Sequence, residues 1–221
     1  MPEIVLYGAD GSCALVAHML LRELQVPFKR VRMTVGPDGY EAADGSLSHA
    51  AYLKIHPSGY VPALSVDGFV VTENPAILQY IASFAPEREL LGSTTKETYR
   101  AMEWMAWLSG TLHGSAFAGL WRPTRFVDDA EYAHAAIVEK GHKKIIACYG
   151  RIEESVEGEF AVGSHLTVVD FYLHNFWRWG CQIGVDMTPY PRYRAVARQI
   201  EQLERAKAAI AEEDQPLTTD S

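Results

Sequence analysis

Cysteine is scarce in this sequence, with three in 221 residues at positions 13, 148 and 181. An odd number without close spacing fits neither a disulfide framework nor a zinc site, so reduced thiols in a reducing compartment are expected. No C-x-x-C pair is present, which counts against an autonomous dithiol cycle. His18, His142, His165 and His174 show no ligand spacing, so no metal is expected. Positive charge is also in short supply: 20 Lys and Arg stand against 28 Asp and Glu, for a net charge of −8. No basic stripe is visible to neutralise phosphates, and a nucleic-acid partner is not expected. Long apolar runs are missing, as is a charged-then-apolar leader at the N-terminus. A cytoplasmic protein with no membrane association follows as the expectation. Internal repeats and low-complexity tracts are absent. What remains is an ordinary globular composition, 48% hydrophobic and 22% charged, in a chain long enough for one large or two small domains.

The most informative stretch runs from Gly59 to Asn74, GYVPALSVDGFVVTEN. Two apolar runs, Val61 to Val66 and Phe69 to Thr72, flank Asp67-Gly68, a two-residue hairpin signal because both turn positions favour positive φ. Proline begins a strand but does not sit inside a central one, so Pro62 marks where this strand starts. Thr72-Glu73-Asn74-Pro75 then reads as a helix start, an oxygen-bearing residue followed by proline. The hairpin therefore ends in free backbone N–H groups beside an acidic and an amide side chain, a combination able to hold a small peptide.

The x-Val-Pro step, the hairpin and the acid-polar pair resemble the glutathione-binding half of the cytosolic glutathione transferases. The resemblance implies a cis Val61-Pro62 bond that exposes the N–H and C=O of Val61. The cysteinyl part of glutathione would pair with them like an added strand.

The rest of the chain is consistent with that architecture. Ile4 to Tyr7 is a short apolar strand, and Leu15, Met19, Leu20 and Leu24 have helical period, with Ser12 as N-cap and Val26-Pro27 as the stop. Phe28 to Met33 alternates as a second strand. Thr34 to Ala51 reads as a long irregular segment with a short helix near Ser48 to Lys54, and a further helix is expected from Pro75 to Phe84. This order predicts an α/β thioredoxin-like N-terminal domain with a mixed four-stranded sheet over 1–84. A linker over 85–93 leads to an all-α C-terminal helical domain over 94–211 and a disordered polar tail over 212–221. In the helical half, Lys96 to Leu112 places Met102, Met105 and Leu108 near one face. Asp129 to Val156 is a second amphipathic run, with Ile145, Ile146 and Ile152 inward and Glu153 and Glu154 outward. Thr167-Val168-Val169-Asp170 is a capping-box pattern ahead of a buried helix through Trp179, a box that the family uses for folding rather than chemistry.

A glutathione transferase must hold a thiolate at neutral pH although a free thiol has a pKa near 8.5. The usual supplier of a hydrogen bond or positive field is a Tyr, Ser or Cys at the start of the first helix. Tyr7, Ser12 and Cys13 all stand in that region. Counted forward from Tyr7, Ser12 takes the catalytic position of many family members. Counted back from the helix, Gly11-Ser12-Cys13-Ala14-Leu15-Val16-Ala17-His18 resembles the G-x-C-x-L-x-x-H of the bacterial beta class and selects Cys13, the preferred choice. Tyr7 is read as a strand residue pointing into the core.

Further on, Arg100 to His113 and Trp121-Arg122-Pro123 resemble the beta-class E-W-…-L-H and F-R-P. His113 thereby falls on the histidine that contacts the glutathione sulfur. Glu73 would face the α-ammonium of glutathione and Asn74 its carboxylate. Tyr60 would wall the site beside Val61 and Pro62, and Arg122 would supply charge. The beta-class lysines have no counterpart: Met33-Thr34-Val35 offers none, and Gly114 follows His113. Phe117, Trp121, Trp177 and Trp179 are candidates to line a pocket for an apolar electrophile. The resemblance implies glutathione as co-substrate, an electrophilic small molecule as second substrate, no metal, and a homodimer. A glutathione-dependent thiol transferase or lyase, with Cys13 forming a mixed disulfide, and a non-catalytic transferase-like scaffold are the competing readings.

Overall fold

The computed structural model describes residues 2–128 and 130–219. Asp129, at the start of the second amphipathic run, and Asp220 and Ser221, at the end of the expected tail, lie outside the described residues. The chain divides into two compact units, one through Leu90 together with the segment from Gln199 on, the other Leu91–Arg198.

In the first unit, five strands form one mixed sheet in the order β3-β2-β1-β4-β5. The strands β1 (Ile4–Gly8) and β2 (Lys29–Gly36) run parallel, joined by the helix α1 (Ala14–Glu23) as crossover. Strands β4 (Ala63–Val66) and β5 (Phe69–Thr72) form the expected hairpin, β4 lying antiparallel to β1 with Leu6 opposite Leu64. Asp67 and Gly68 take φ of 49° and 83°, as a two-residue turn of this hand demands. The helix α3 (Asn74–Ala82) follows and buries Ile77, Leu78 and Ile81.

Two expectations need correction here. The sheet has five strands, not four: within the Gly- and Asp-rich segment, β3 (Gly39–Ala42) pairs antiparallel with an extended β2, from Met33 opposite Ala42 to Gly36 opposite Gly39. Glycines at both ends of that turn hid a strand whose own pattern, Gly-Tyr-Glu-Ala, is too short to alternate visibly. The short helix α2 (His49–Tyr52) begins where expected, capped by the Ser48 side chain accepting from Ala51 N–H.

The second correction concerns the C-terminus. The helix α9 (Glu204–Glu212) packs on α1 and the residues from Gln199 on group with the sheet, so the helical domain does not extend over 94–211. The described part of the polar tail is not free in solvent: Glu212, Asp214, Pro216 and Leu217 are exposed, but Glu213 is 1% and Thr219 2% exposed. Thr218 and Thr219 donate their backbone N–H and hydroxyl groups to the two oxygens of buried Glu201 at 2.5–3.1 Å. Polar residues bury when each donor finds an acceptor. Alpha1 is consequently enclosed on several sides, and Ala14 through Leu21 are all buried.

In the second unit, α4 (Thr95–Trp107) runs without a break into a wider turn, Leu108–Phe117, and then α5 (Ala118–Trp121). In the widened part, hydrogen bonds skip one residue more than in an α-helix: Ala118 N–H donates to His113 C=O. The helix α6 (Glu131–Ser155) buries Ile145, Cys148, Tyr149 and Ile152. Ile146 is 42% exposed, correcting its expected inward placement, because a residue one step from Ile145 sits about 100° around the helix. Glu153 also departs from expectation. Its carboxylate accepts from the backbone N–H groups of Arg192 and Tyr193 and so caps α8 (Pro191–Gln202).

The helix α7 (Val168–Gln182) is buried from Val168 to Gly180, the expected core helix. Its box is complete: Asp170 accepts from Thr167 N–H (2.7 Å), Thr167 Oγ1–H (2.9 Å) and Ala161 N–H (2.7 Å). Burial pushes its carboxyl up to about 6 against those three hydrogen bonds.

Helices α5 and α6 approach so closely at Gly119 and Gly141 that a Cβ on Gly141 would lie 2.7 Å from Leu120 N. Gly150, on the same helix, has nothing within 4 Å of its Cβ position. We expect Gly141→Ala to cost about 1–3 kcal/mol through overpacking. Gly150→Ala should gain up to about 1 kcal/mol from helix propensity. Denaturant titration of the two variants checks the opposite signs.

Candidate functional site

The loop between β1 and α1 carries the candidate nucleophiles. Gly11, at φ +66°, turns the chain, and Ser12 closes the turn: its hydroxyl donates to Ala9 C=O at 2.7 Å and accepts from Ala14 N–H at 3.2 Å. Ser12 Oγ is thus committed to the loop and the first helical turn, although the N-cap of α1 is Cys13, one residue beyond the expected Ser12, and makes no side-chain cap bond. Cys13 follows, 6% exposed, with Sγ 3.5 Å from Val61 O. Val61-Pro62 is cis. The structure therefore brings the Cys13 sulfur to the backbone edge of Val61, at the N-terminal end of α1, where orphan N–H groups favour negative charge.

The side chains behind that edge hold it in place. Tyr52 Oη–H donates to Tyr60 C=O at 2.6 Å, one residue before Val61, and burial raises the Tyr52 phenol well above its ordinary pKa. Tyr7 packs against the Tyr52 ring at 5.8 Å between centroids, its own phenol pushed up by burial and then by Glu3, so it stays protonated. It is half-buried and belongs to the cluster of Met33, Ala42, Tyr52 and Ala63, as expected of a strand residue. Tyr60 is 43% exposed. Tyr52 was missed in the sequence because an aromatic in a short helix reads as packing alone.

Glu73 stands between β5 and α3 with φ 68° and ψ 120°, a conformation a side chain rarely adopts. The turn projects this carboxyl from the N-terminal end of α3, adjoining the strand that pairs with Ala63 and Leu64. Asn74 is 4% exposed, and its Nδ2 donates to Cys13 C=O at 2.9 Å while Oδ1 is buried without a protein partner. The donor expected to meet a ligand carboxylate is thus engaged with the backbone of Cys13. Asn74 supports the nucleophile loop.

In the helical unit, His113 lies in the widened turn, half-buried, with its ring 5.2 Å from Trp179 and 6.0 Å from Phe176. Desolvation first, then the positive charges of Arg122 and Arg125, push its pKa down to about 4, so the imidazole is neutral at pH 7. Phe117, Trp121 and Trp179 form one aromatic cluster with centroids 4.7–5.1 Å apart. Trp177 faces elsewhere, against Tyr193 at 5.2 Å, and leaves the expected aromatic group. Two steps along a helix turn the side chain by about 200°, so Trp177 and Trp179 cannot share a face. Arg122 is exposed and acts on His113 through its field. Among the described residues no cluster of three or more His, Cys, Asp or Glu has the geometry to hold a metal ion, and no helix is long and apolar enough to cross a membrane.

Comparison with known proteins gives a consistent picture. Residues 11–83 match the family model of the glutathione S-transferase N-terminal domain. A curated relative, glutathione S-transferase GST-4.5 of Xanthomonas campestris pv. campestris, is 31% identical over 189 residues, covering 83% of this chain and 85% of that protein. The bacterial beta class glutathione S-transferase of Sphingomonas chungbukensis superposes with a TM-score of 0.79 at 31% identity, covering 95% of this chain and 98% of that one. A sphingomonad glutathione S-transferase complexed with glutathione gives a TM-score of 0.79 at 30% identity, over 96% of this chain and 100% of that one.

The depressed pKa of His113 carries a signed expectation for stability. An unfolded imidazole takes up a proton near pH 6.5, whereas the folded one does so near 4. Stability contributed by the neutral ring is therefore full above about pH 6.5 and is lost as the pH falls from there toward 4. Thermal midpoints of wild type and His113→Asn should run parallel from pH 6.5 to 8. Below that range the wild type should fall more steeply, and parallel curves down to pH 4.5 would contradict the assignment.

Proposed function

The chain belongs to the glutathione S-transferase family, and from that premise we propose that it activates the thiol of glutathione for attack on an electrophilic small molecule. The observation that carries this reading is the 3.5 Å approach of Cys13 Sγ to Val61 O. It joins a peptide-binding backbone edge to a polarisable group at a helix start. Glutathione laid along that edge pairs its cysteinyl backbone with the N–H and C=O of Val61, as an added strand does. Its sulfur then comes to the first turn of α1, where the helix N-terminus and the Cys13 side chain favour the thiolate. Glu73 offers its carboxylate to the α-ammonium, and Tyr60 walls the entrance beside Pro62. Ser12, bound within its own loop, keeps the turn in shape.

His113 contributes as a neutral imidazole, able to donate one N–H to a thiolate without carrying charge into the aromatic surroundings. Phe117, Trp121 and Trp179 supply apolar surface for the electrophile, and Arg122 supplies charge. Catalysis then rests on proximity and on stabilising the sulfur anion, both properties of a preorganised site. The working form is a cytoplasmic homodimer.

One observation supports a second activity at the same site. The group at Val61 O is a thiol rather than a hydroxyl, so it can itself attack the sulfur of a disulfide containing glutathione. The Cys13 thiolate forms a new S–S bond to glutathione as the original S–S bond breaks, and the other half leaves as a thiolate that takes up a proton. A second glutathione thiolate then attacks the mixed disulfide, releasing oxidised glutathione and restoring Cys13. The non-catalytic scaffold reading gains no such support.

These assignments predict separable variants. Cys13→Ala should lower kcat/KM for conjugation of glutathione with a chloronitrobenzene by at least about tenfold, the loss of roughly 1.4 kcal/mol of transition-state stabilisation. It should abolish turnover of a mixed disulfide. Ser12→Ala should cost about 1 kcal/mol of stability through the lost hydrogen bonds to Ala9 C=O and Ala14 N–H and leave disulfide turnover in place. Conjugation surviving in Cys13→Ala and lost in Ser12→Ala would reverse the choice of nucleophile. Retention on immobilised glutathione by neither variant nor wild type would sink the transferase reading itself.

A further inference from the structure

From the buried contacts of the C-terminal segment, we propose that Glu213 is a positioning residue for the nucleophile loop. This rests on the assignment of Cys13 to the reacting site. Glu213 lies beyond the end of α9, is 1% exposed, and directs both carboxylate oxygens at the N-terminal half of the first unit. Oε2 accepts from the backbone N–H of Gly11 at 2.8 Å, two residues before Cys13. Oε1 lies 2.8 Å from His18 Nδ1 and 3.3 Å from the Arg30 guanidinium. Arg30 in turn pairs with Asp10, in the same loop, as does Arg32. A single carboxylate thus grips the loop directly through Gly11 and indirectly through the guanidinium that holds Asp10.

The neighbouring residues point the same way. Glu212 meets His18 Nε2 at 3.1 Å and Arg22 at 2.7 Å, so both nitrogens of the His18 ring face carboxylates of this segment. His18 is the last residue of the Gly11-to-His18 pattern, and this contact gives it a task. The side chain of Gln215 fills the space where a Cβ on Gly11 would stand, 2.7 Å away. Gly11 at φ +66° is free of that steric limit. Its turn sets where Ser12 and Cys13 leave the loop, and Glu213 of the C-terminal segment accepts from its N–H. A part-buried N–H that loses its charged acceptor weakens the turn it belongs to, so the loop rearranges when the carboxylate is removed.

Position at the reacting sulfur matters steeply, since a displacement of about 1 Å can cost about 100-fold in rate. A merely structural Glu213 would change stability alone. The distinguishing readout is the chemistry of Cys13: its rate of alkylation by iodoacetamide, followed by mass spectrometry of the peptide that contains it, in full-length folded protein. We expect Glu213→Ala to change that rate by at least about threefold and to lower kcat for conjugation by about 10- to 100-fold, with KM for the electrophile little changed. Glu213→Gln keeps one acceptor for Gly11 and removes the charge that meets Arg30 and His18. It should fall between wild type and Glu213→Ala, and it serves if the alanine variant does not fold. Ile152→Val, in the core of the other unit, is the control for lost stability and should leave the alkylation rate as it is.

A folded Glu213→Ala or Glu213→Gln protein with wild-type alkylation of Cys13 and wild-type kcat would overturn the proposal, whatever its melting temperature. The alkylation rate needs no turnover, so a wild-type protein inactive in conjugation would count against the transferase reading and leave the positioning claim to stand or fall on the thiol alone.

Discussion

The carbonyl of Val61 and the thiol of Cys13 come from segments 48 residues apart and meet at 3.5 Å. Neither group sits in regular structure, and neither would hold its place unaided, because a loop fixes few dihedrals by itself. The first unit is built around this meeting. The sheet aligns β1 beside β4, so the two chain segments leave it as neighbours. Tyr52 then ties Tyr60 on one side, while Asn74 ties the Cys13 carbonyl on the other. The carboxylate of Glu213 closes the third side through Gly11. Each tie is a hydrogen bond between a largely buried side chain and a backbone group, the tyrosine and the amide donating and the carboxylate accepting. Such bonds are modest in net worth and expensive to leave unmade, which suits them to fixing geometry.

Much of this frame was legible in the sequence because local chemistry and tertiary structure agree there. Asp67-Gly68 supplies the positive φ values its turn requires, and Pro62 opens a strand where proline is tolerated. The Thr167-to-Asp170 box starts a helix that the core then buries. In these places one residue type has one good structural use. The start of α1 was legible to within one residue from its apolar period, the N-cap falling at Cys13 rather than at Ser12.

Other features were hidden for identifiable reasons. Strand β3 has four residues and glycine at its turn, so it carries no periodic signal, and only pairing with an extended β2 defines it. The C-terminal segment reads as polar, yet its acids and threonines complete buried hydrogen-bond sets that no local pattern announces. The widened turn at 108–117 carries no local signal of its own, for its glycines read only as weak helix. Ile146 and Trp177 show a simpler fault, in which apolar residues were assigned to one face although the helix turns Ile146 about 100° from Ile145 and Trp177 about 200° from Trp179.

Glu73 sits at φ 68° without being glycine. Glycine there would relax the backbone and remove the carboxylate in the same step, so local comfort and ligand chemistry pull this codon in opposite directions. A library randomised at this position and sorted for thermal tolerance alone would drift toward glycine, since ψ 120° lies outside the left-handed well that asparagine tolerates. Were the Glu73 carboxylate to hold substrate as proposed, sorting for turnover would keep the position acidic, and the gap between the two populations would measure how much conformational discomfort that role is worth.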